Sequence, residues 1–286
     1  MDPRVQAAQY MVLSALGFAL MAALVKVAGL RGFPVLQIIA ARALVSLGIS
    51  WWDTHRKRIS PFGQHRKLLF ARGLIGFLAL MCVYSAVIHL PLAEATILQY
   101  THPIFTLLFA LVALKEAVNR ATLLCIALSI LGLVVILQPS TGLQESANLP
   151  PYYVFLALLG AAGSGAAYVL VRKLAPLEDS SVIIFYFPLV CLPSALVLGW
   201  REFIMPIGCE WLILLGVGVF TQVGQWGLTK GLALYKAGTV VAFSYVQVPL
   251  AAMLGLLFFN ESLSVTSILG GSLIILGAWI NTKDKT

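Results

Sequence analysis

One guanidinium, one imidazole and several amides stand inside stretches of sequence that are otherwise apolar. These are the groups with chemistry to offer. Arg42 lies within the run 34–52. Gln99, His102 and Thr106 recur at three- and four-residue spacing, so a helix presents them on one face, bordered by Tyr100 and Pro103. Gln222, Gln225, Trp226 and Thr229 form a second polar flank, and Ser244 and Gln247 a third, with Tyr245 beside them and Pro249 beyond. Tyr84 and Ser85 complete the set. A pocket of amides, hydroxyls and aromatic rings suits a small amphipathic or zwitterionic solute. Arg42 suits a clamp on a carboxylate or phosphate, whose geometry its planar fork matches; its other use is as a structural partner for Glu94 or helix carbonyls. His102 can exchange a proton near neutral pH or act as a hydrogen-bonded structural ring. For every one of these faces the plainer alternative is bonding between helices.

The surroundings of these groups determine what must hold them. Of 286 residues, 60% are hydrophobic and 10% are charged, against about a quarter charged in a soluble domain. Apolar runs bounded by polar, Gly or Pro residues fall at 8–28, 34–52, 68–89, 94–114, 120–138, 151–172, 181–200, 210–231, 238–259 and 264–281. Each approaches the roughly 20 residues that cross a bilayer. The expected fold is therefore an all-α integral membrane protein of ten transmembrane helices, with loops too short for a soluble domain. Asn119, Ser180 and Ser264 are candidate helix caps. No small-residue cleavage site follows the first run, which reads as a retained span and not a signal peptide.

Charge sets the orientation. The formal net charge is +8, but the basic residues sit in short gaps, as in His55-Arg56-Lys57-Arg58, and not on a solvated face that would bind nucleic acid. With the N-terminus inside, fourteen of the 19 Lys and Arg fall in inner loops and tails, whereas only Lys26, Arg31 and Arg201 fall outside. Both termini are expected in the cytoplasm. Arg42 and Arg72 remain within spans, and Arg42 is read as the isolated mid-membrane charge. Cys82, Cys125, Cys191 and Cys209 are scattered without a ligand-like spacing and read as free thiols; neither a metal nor a cofactor is expected.

The chain also repeats itself. Pro249 follows Pro103 by 146 residues, Glu261 follows Glu116 by 145, and Leu276-Gly277 follows Leu131-Gly132 by 145. Gly17 and Gly163, and Lys26 and Arg172, agree at an offset of 146. The copies are assigned to residues 1–143 and 149–286, each with five spans. Five is odd, so the second copy begins on the opposite side and the repeats are inverted. Inverted repeats around a midplane site belong to alternating-access carriers.

Ten short helices as five plus five, with a Pro in spans four and nine and a Glu just after each, resemble the drug/metabolite transporter superfamily. The EamA-type branch is the nearest match in pattern. The run Leu90-Pro91-Leu92-Ala93-Glu94-Ala95-Thr96 is similar to bacterial relatives of the animal SLC35G-type carriers. The resemblance implies a carrier of the cytoplasmic (inner) membrane with a cavity lined mainly by spans three, four, eight and nine. Peripheral helices five and ten would support the repeat interface, with a homodimer as the expected assembly. Where the first copy has Arg42 the second has Pro188, which makes the cavity chemically lopsided and suits a solute with an anionic end.

Several residues acquire roles within that frame. Glu94 is a cap, an Arg42 partner or, with His102, a coupling site for protons. Pro103 and Pro249 are expected bending points, since proline frees a carbonyl in the preceding turn. Glu116 and Glu261 each precede a helix whose positive N-terminal end favours a carboxylate, and read as structural. Tyr168 and Tyr186 are further candidates for the cavity wall. The small residues Gly160 to Ala167 permit close helix approach. No GxxxxGK[ST] loop supplies ATP-driven pumping. An intramembrane enzyme would need paired acids or a metal cluster, and a channel a selectivity ring, and neither is visible. The expected function is secondary-active export of an amino-acid-like or zwitterionic metabolite by rocking of the two five-helix halves. The alternative is import or exchange of a nucleoside-like solute such as S-adenosylmethionine, with Trp226, Tyr84, Tyr100 and Tyr245 stacking on its base. Membrane lipid and the solute are the expected partners.

Overall fold

The computed structural model describes residues 3–114, 149–234, 241–261 and 264–283, with scattered positions between 124 and 135. Every regular element among them is helical. In chain order these are α1 (Pro3–Leu30), α2 (Val35–Arg56), α3 (Arg66–His89), α4 (Leu92–Gln99), α5 (His102–Leu114), α6 (Pro151–Leu174), α7 (Ser180–Gly199), α8 (Glu210–Leu234), α9 (Gln247–Phe259) and α10 (Val265–Lys283). Short 3-10 turns occupy Trp200–Glu202 and Val241–Val246. Seven helical segments among the described residues are long and apolar enough to cross a membrane, α4 and α5 together forming one of them. The chain is thus an all-α membrane protein. Most of the fifth expected span, together with Glu116 and Asn119, lies outside the described residues.

Two spans are broken in the middle, and proline explains where. Pro103 has no N–H to return to Gln99, so α4 stops there and α5 restarts at His102. In span nine the chain runs as a 3-10 turn to Val246 and becomes α-helical at Gln247, two residues before Pro249. The bending points expected from the sequence coincide with these discontinuities.

Helix pairing carries the signature of a twofold exchange between copies. The most extensive interfaces are α1 with α8, α3 with α6, and α2 with α7. Exchanging spans one and six, two and seven, and three and eight turns α1–α8 into α6–α3 and leaves α2–α7 unchanged. The same exchange relates α5–α6 to α9–α1. Each of these interfaces joins a helix of one copy to a helix of the other. The sequence halves therefore interleave, and rocking them as separate blocks would part their largest contacts.

Close approach makes this possible. A Cβ on Gly17 of α1 would lie 2.8 Å from the Gly224 nitrogen and 2.9 Å from the Phe220 carbonyl oxygen of α8. Its repeat mate, Gly163 of α6, would place a Cβ 2.7 Å from that of Ala79 on α3. Without a hydrophobic force between helices in lipid, such backbone-level packing is what holds them together.

The two ends of the bundle are tied by polar groups. At the end bearing the 31–34 and 90–91 turns, Lys26 donates to the Leu90 carbonyl at 2.7 Å, pairs with Glu261, and lies 5.4 Å from the Phe259 ring centroid. Glu261 in turn accepts from Leu92 N–H at 2.7 Å. This corrects the helix assigned to Glu261: it caps α4 of the other copy, whereas Ser264 accepts from Ser267 N–H at 3.0 Å and caps α10. Asp179, not Ser180, caps α7, accepting from Ser181 N–H at 2.8 Å. At the opposite end Glu178 accepts from the backbone N–H groups of Gln64 and His65, both at 2.6 Å, with the His65 ring 3.1 Å away.

Two outcomes are expected. Gly17→Ala forces α1 off α8 at a cost of about 1–3 kcal/mol, typical of overpacking, and lowers Tm in detergent. Gly48→Ala, whose added methyl meets nothing within 4 Å, does not. Burial by itself would raise the Glu178 carboxyl, but the His65 and Gln64 donors outweigh it and hold the group below its ordinary 4.5. Its stabilisation is therefore complete above about 4.5 and lost as pH falls through the lower folded value. Glu178→Gln should flatten that acid limb in melts recorded against pH.

Candidate functional site

A cavity of about 120 Å³ lies at the crossing of the two copies. Of the residues singled out from sequence, Arg42, Tyr84, Gln99, Tyr100, His102, Gln225, Ser244 and Gln247 line it. It reaches beyond the four spans that the resemblance implied: Met21 enters from α1, Arg42 from α2, Tyr168 from α6 and Phe187 from α7.

The broken spans meet here. Tyr100 Oη, in the break of span four, donates to Gln247 Oε1 at 2.6 Å, at the start of α9. His102 is buried, its ring 5.2 Å from Tyr100 and edge-on to Tyr168 at 4.9 Å, and its Nδ1 has no hydrogen-bond partner among the described residues. Gln99 donates to Ser164 Oγ at 2.9 Å, while its Oε1 is buried without a partner among the described residues. Thr106 Oγ1 turns back to the His102 carbonyl at 2.8 Å, so it serves its own helix.

Arg42 is buried on α2 and donates from Nη1 to Tyr84 Oη at 3.0 Å; Tyr84 faces Met21 Sδ at 3.2 Å. Its guanidinium stands 5.0 Å from the Phe187 ring centroid. Arg42 is not the isolated mid-membrane charge expected from sequence. Arg72, one helix over on α3, is equally buried and lies 4.2 Å from the same ring. Its Nη2 donates to Gln225 Oε1 at 3.0 Å. The signal was present, since Arg72 is the other basic residue within a span.

Three candidates stand elsewhere or are undescribed. Gln222 donates to Ser50 Oγ at 2.8 Å on α2 and does not line the cavity. Trp226 is 38% exposed and meets Tyr10 edge-on at 5.2 Å. Gln222 thus meets α2 and Trp226 meets α1, whereas Gln225 reaches the cavity; helical spacing groups such residues loosely but does not say which neighbour each side chain meets. The Tyr245 side chain lies outside the described ones. Glu94 also departs from one expectation: its Oε1 accepts from Ser267 Oγ at 3.1 Å on α10, Oε2 has no partner among the described residues, and Arg42 is not in contact with it. Tyr186 packs into an apolar cluster instead of the cavity wall. Among the described residues, no three His, Cys, Asp or Glu are grouped so as to hold a metal ion.

Apolar membrane helices, interleaved as two copies around a buried polar cavity, define a membrane transporter. The chain belongs to the EamA-like transporter family, whose profile matches residues 6–138 and again 151–283. It is 31% identical to the pseudopaline exporter CntI of Pseudomonas aeruginosa over 96% of this chain and 95% of that one. Human solute carrier family 35 member G1 is 30% identical over 77% of this chain and 62% of its own. The riboflavin transporter of Vibrio cholerae is 26% identical over 98% and 94%. A solved crystal structure superposes with a TM-score of 0.70 at 18% identity, covering 98% of this chain and 96% of that one, and shares the fold. The protein is accordingly a multi-pass membrane transporter of a small-molecule solute and not an enzyme.

The Arg72–Gln225 bond yields a direct test. Gln225→Leu leaves a buried guanidinium without its described acceptor, and should destabilise by about 1–3 kcal/mol or more, the cost of an unsatisfied buried group. Gln222→Leu, at the flank facing Ser50, should cost less when both are melted in the same detergent.

Proposed function

We propose that this transporter is a secondary-active exporter of a small polar, amino-acid-like metabolite, working by alternating access across the inner membrane with both termini in the cytoplasm. The observation that carries the reading is the cavity itself, whose polar wall comes from both copies and centres on two broken helices. Discontinuous helices at the repeat interface are where such carriers place their solute. The name of the pseudopaline exporter, similar along nearly the whole chain, supports the outward direction. The excess of Lys and Arg in one set of loops supports the orientation. A homodimer through the peripheral helices belongs to the same reading.

Helix packing suggests which parts move. One body comprises α1, α2, α8 and α9; the other comprises α3, α4, α5, α6 and α7. The twofold exchange converts one into the other, and the division keeps α1–α8 and α3–α6 each within a body and leaves α2–α7 as the large interface between them. Arg42–Tyr84, Arg72–Gln225 and Tyr100–Gln247 each cross that boundary. So do the contacts of Lys26 and Glu261 with the chain at Leu90 and Leu92. By the charge rule these last contacts close the outer end, and must part when the cavity opens outward. Solute bound between the bodies competes for the three central bonds and so couples occupancy to the rearrangement. Pro103 and Pro249 would let spans four and nine bend during it. Glu94, with one buried carboxylate oxygen unpartnered among the described residues, and His102 are the proposed proton-coupling groups.

A nucleoside-like cation such as S-adenosylmethionine is the weaker reading. Two guanidiniums line the cavity and no acidic side chain does among the described residues, so a sulfonium would be repelled.

The reading is tested by counterflow in proteoliposomes with a library of amino-acid-derived solutes. His102→Ala and Gln247→Ala should abolish flux while inserting normally, and Trp226→Ala should retain it. Flux that never saturates and shows no trans-stimulation would indicate a channel; wild-type rates in both His102→Ala and Gln247→Ala would move the site elsewhere.

A further inference from the structure

Arg42 and Arg72 together ask for more negative charge than an amino acid carries. Both guanidinium carbons stand over the Phe187 ring, at 5.0 and 4.2 Å from its centroid, so they are no more than about 9 Å apart. Both are buried in the wall of one cavity, where the same wall presents no Asp or Glu among the described residues. The contacts they do make are neutral. Arg42 has the Tyr84 hydroxyl and Phe187, and Arg72 has the Gln225 amide and Phe187. Nε and Nη1 of Arg72 are buried with no hydrogen-bond partner among the described residues. An aromatic face attracts a cation by about 0.5–2 kcal/mol, which falls well short of the several kcal/mol needed to desolvate a buried ion. Two like charges this close in a low-dielectric interior also repel each other.

We infer that Arg42, Arg72 and Phe187 form a two-cation cradle that selects a solute carrying two negative charges. This deepens the proposed function and rests on it for the cavity being the solute site. In this arrangement Arg42 takes one acidic group with Tyr84 steadying it, and the Nε and Nη1 donors of Arg72 are left for the other, with Gln225 fixing Nη2 between them. A guanidinium holds five N–H donors in a rigid planar fork suited to carboxylate or phosphate oxygens. The neutral amides Gln99 and Gln247 remain for the rest of the solute. A simple zwitterion brings one acidic group and would leave one guanidinium unmatched, so its transport is expected to be poor.

Binding of simple anions separates this from other possibilities. The purified protein in lipid nanodiscs is melted at constant ionic strength with propionate, succinate or glycerol phosphate. The expected result is a Tm that rises with a dianion and not with propionate. Stabilisation by succinate alone identifies two carboxylates as the recognised groups, and by glycerol phosphate alone a single phosphate; either supports the cradle. Arg72→Gln should weaken the dianion by about tenfold to a hundredfold, the loss of charged hydrogen bonds, and make it no better than propionate. Arg72→Lys keeps the charge without the fork and should fall between. Arg172→Gln, a basic residue bonded to the Leu232 carbonyl outside the cavity, should keep the wild-type preference. The inference is overturned if propionate stabilises as well as the dianions, if neither dianion shifts Tm at tens of millimolar, or if Arg72→Gln and Arg72→Lys both retain the preference. Proteoliposome counterflow keeps the two readings apart. Dianion binding without saturable flux refutes transport through this site and leaves the cradle standing; saturable counterflow of alanine with no preference for dianions refutes the cradle and leaves transport standing.

Discussion

A repeat that crosses a membrane an odd number of times can be followed only by a copy facing the other way. Most of this structure follows from that constraint. Inversion places span one beside span eight and span six beside span three, so α1, α2, α3, α6, α7 and α8 each find their main partner in the other copy. In lipid the attraction between helices is shape and not hydrophobicity. Gly17 and Gly163, equivalent in the two copies, therefore both sit at close helix crossings. The twofold relation also brings the breaks of spans four and nine together, where Tyr100 bonds to Gln247.

The same crossing concentrates the polar groups. A broken helix leaves backbone and side-chain polarity at a depth where water is scarce, and such irregular backbone is tolerated only where it is buried in protein or lines a cavity. His102, Gln99 and Gln247 surround that point, with the arginines set beside it on α2 and α3. The two copies are not chemically equal there. Arg42 corresponds to Pro188, so the positive charge comes from the first copy alone, while Phe187 of the second copy supplies the aromatic surface for both guanidiniums. Symmetry of backbone thus carries asymmetry of charge. In the proposed mechanism, that combination lets near-equivalent bodies exchange conformations around a solute held by one side's cations.

How much of the site was legible depended on the kind of signal. Arg42, His102 and Gln247 stood out because a polar side chain in an apolar run is costly and therefore conspicuous. Pro103 and Pro249 marked the breaks because a missing N–H acts locally. Trp226 and Gln222 misled because helical periodicity groups residues within a flank but is silent on which neighbour that flank meets. Arg72 stood within a span as well, but its meeting with Arg42 over one ring depends on how α2, α3 and α7 pack. Glu261 was assigned to the helix that follows it in sequence; it caps α4, 169 residues away along the chain from Leu92.

Sequence by itself determined what depends on composition, order and local covalent chemistry: an apolar all-helical chain, a doubled pattern of residues, proline breaks at matching positions, and polar side chains at membrane depth. Only the tertiary structure decided what depends on who meets whom. It interleaved the halves that sequence suggested would rock as blocks, put two arginines over one phenylalanine, and turned Trp226 away from the cavity. The physical reason is that covalent and helical preferences act over a few residues, whereas these contacts arise from packing between helices far apart in the chain.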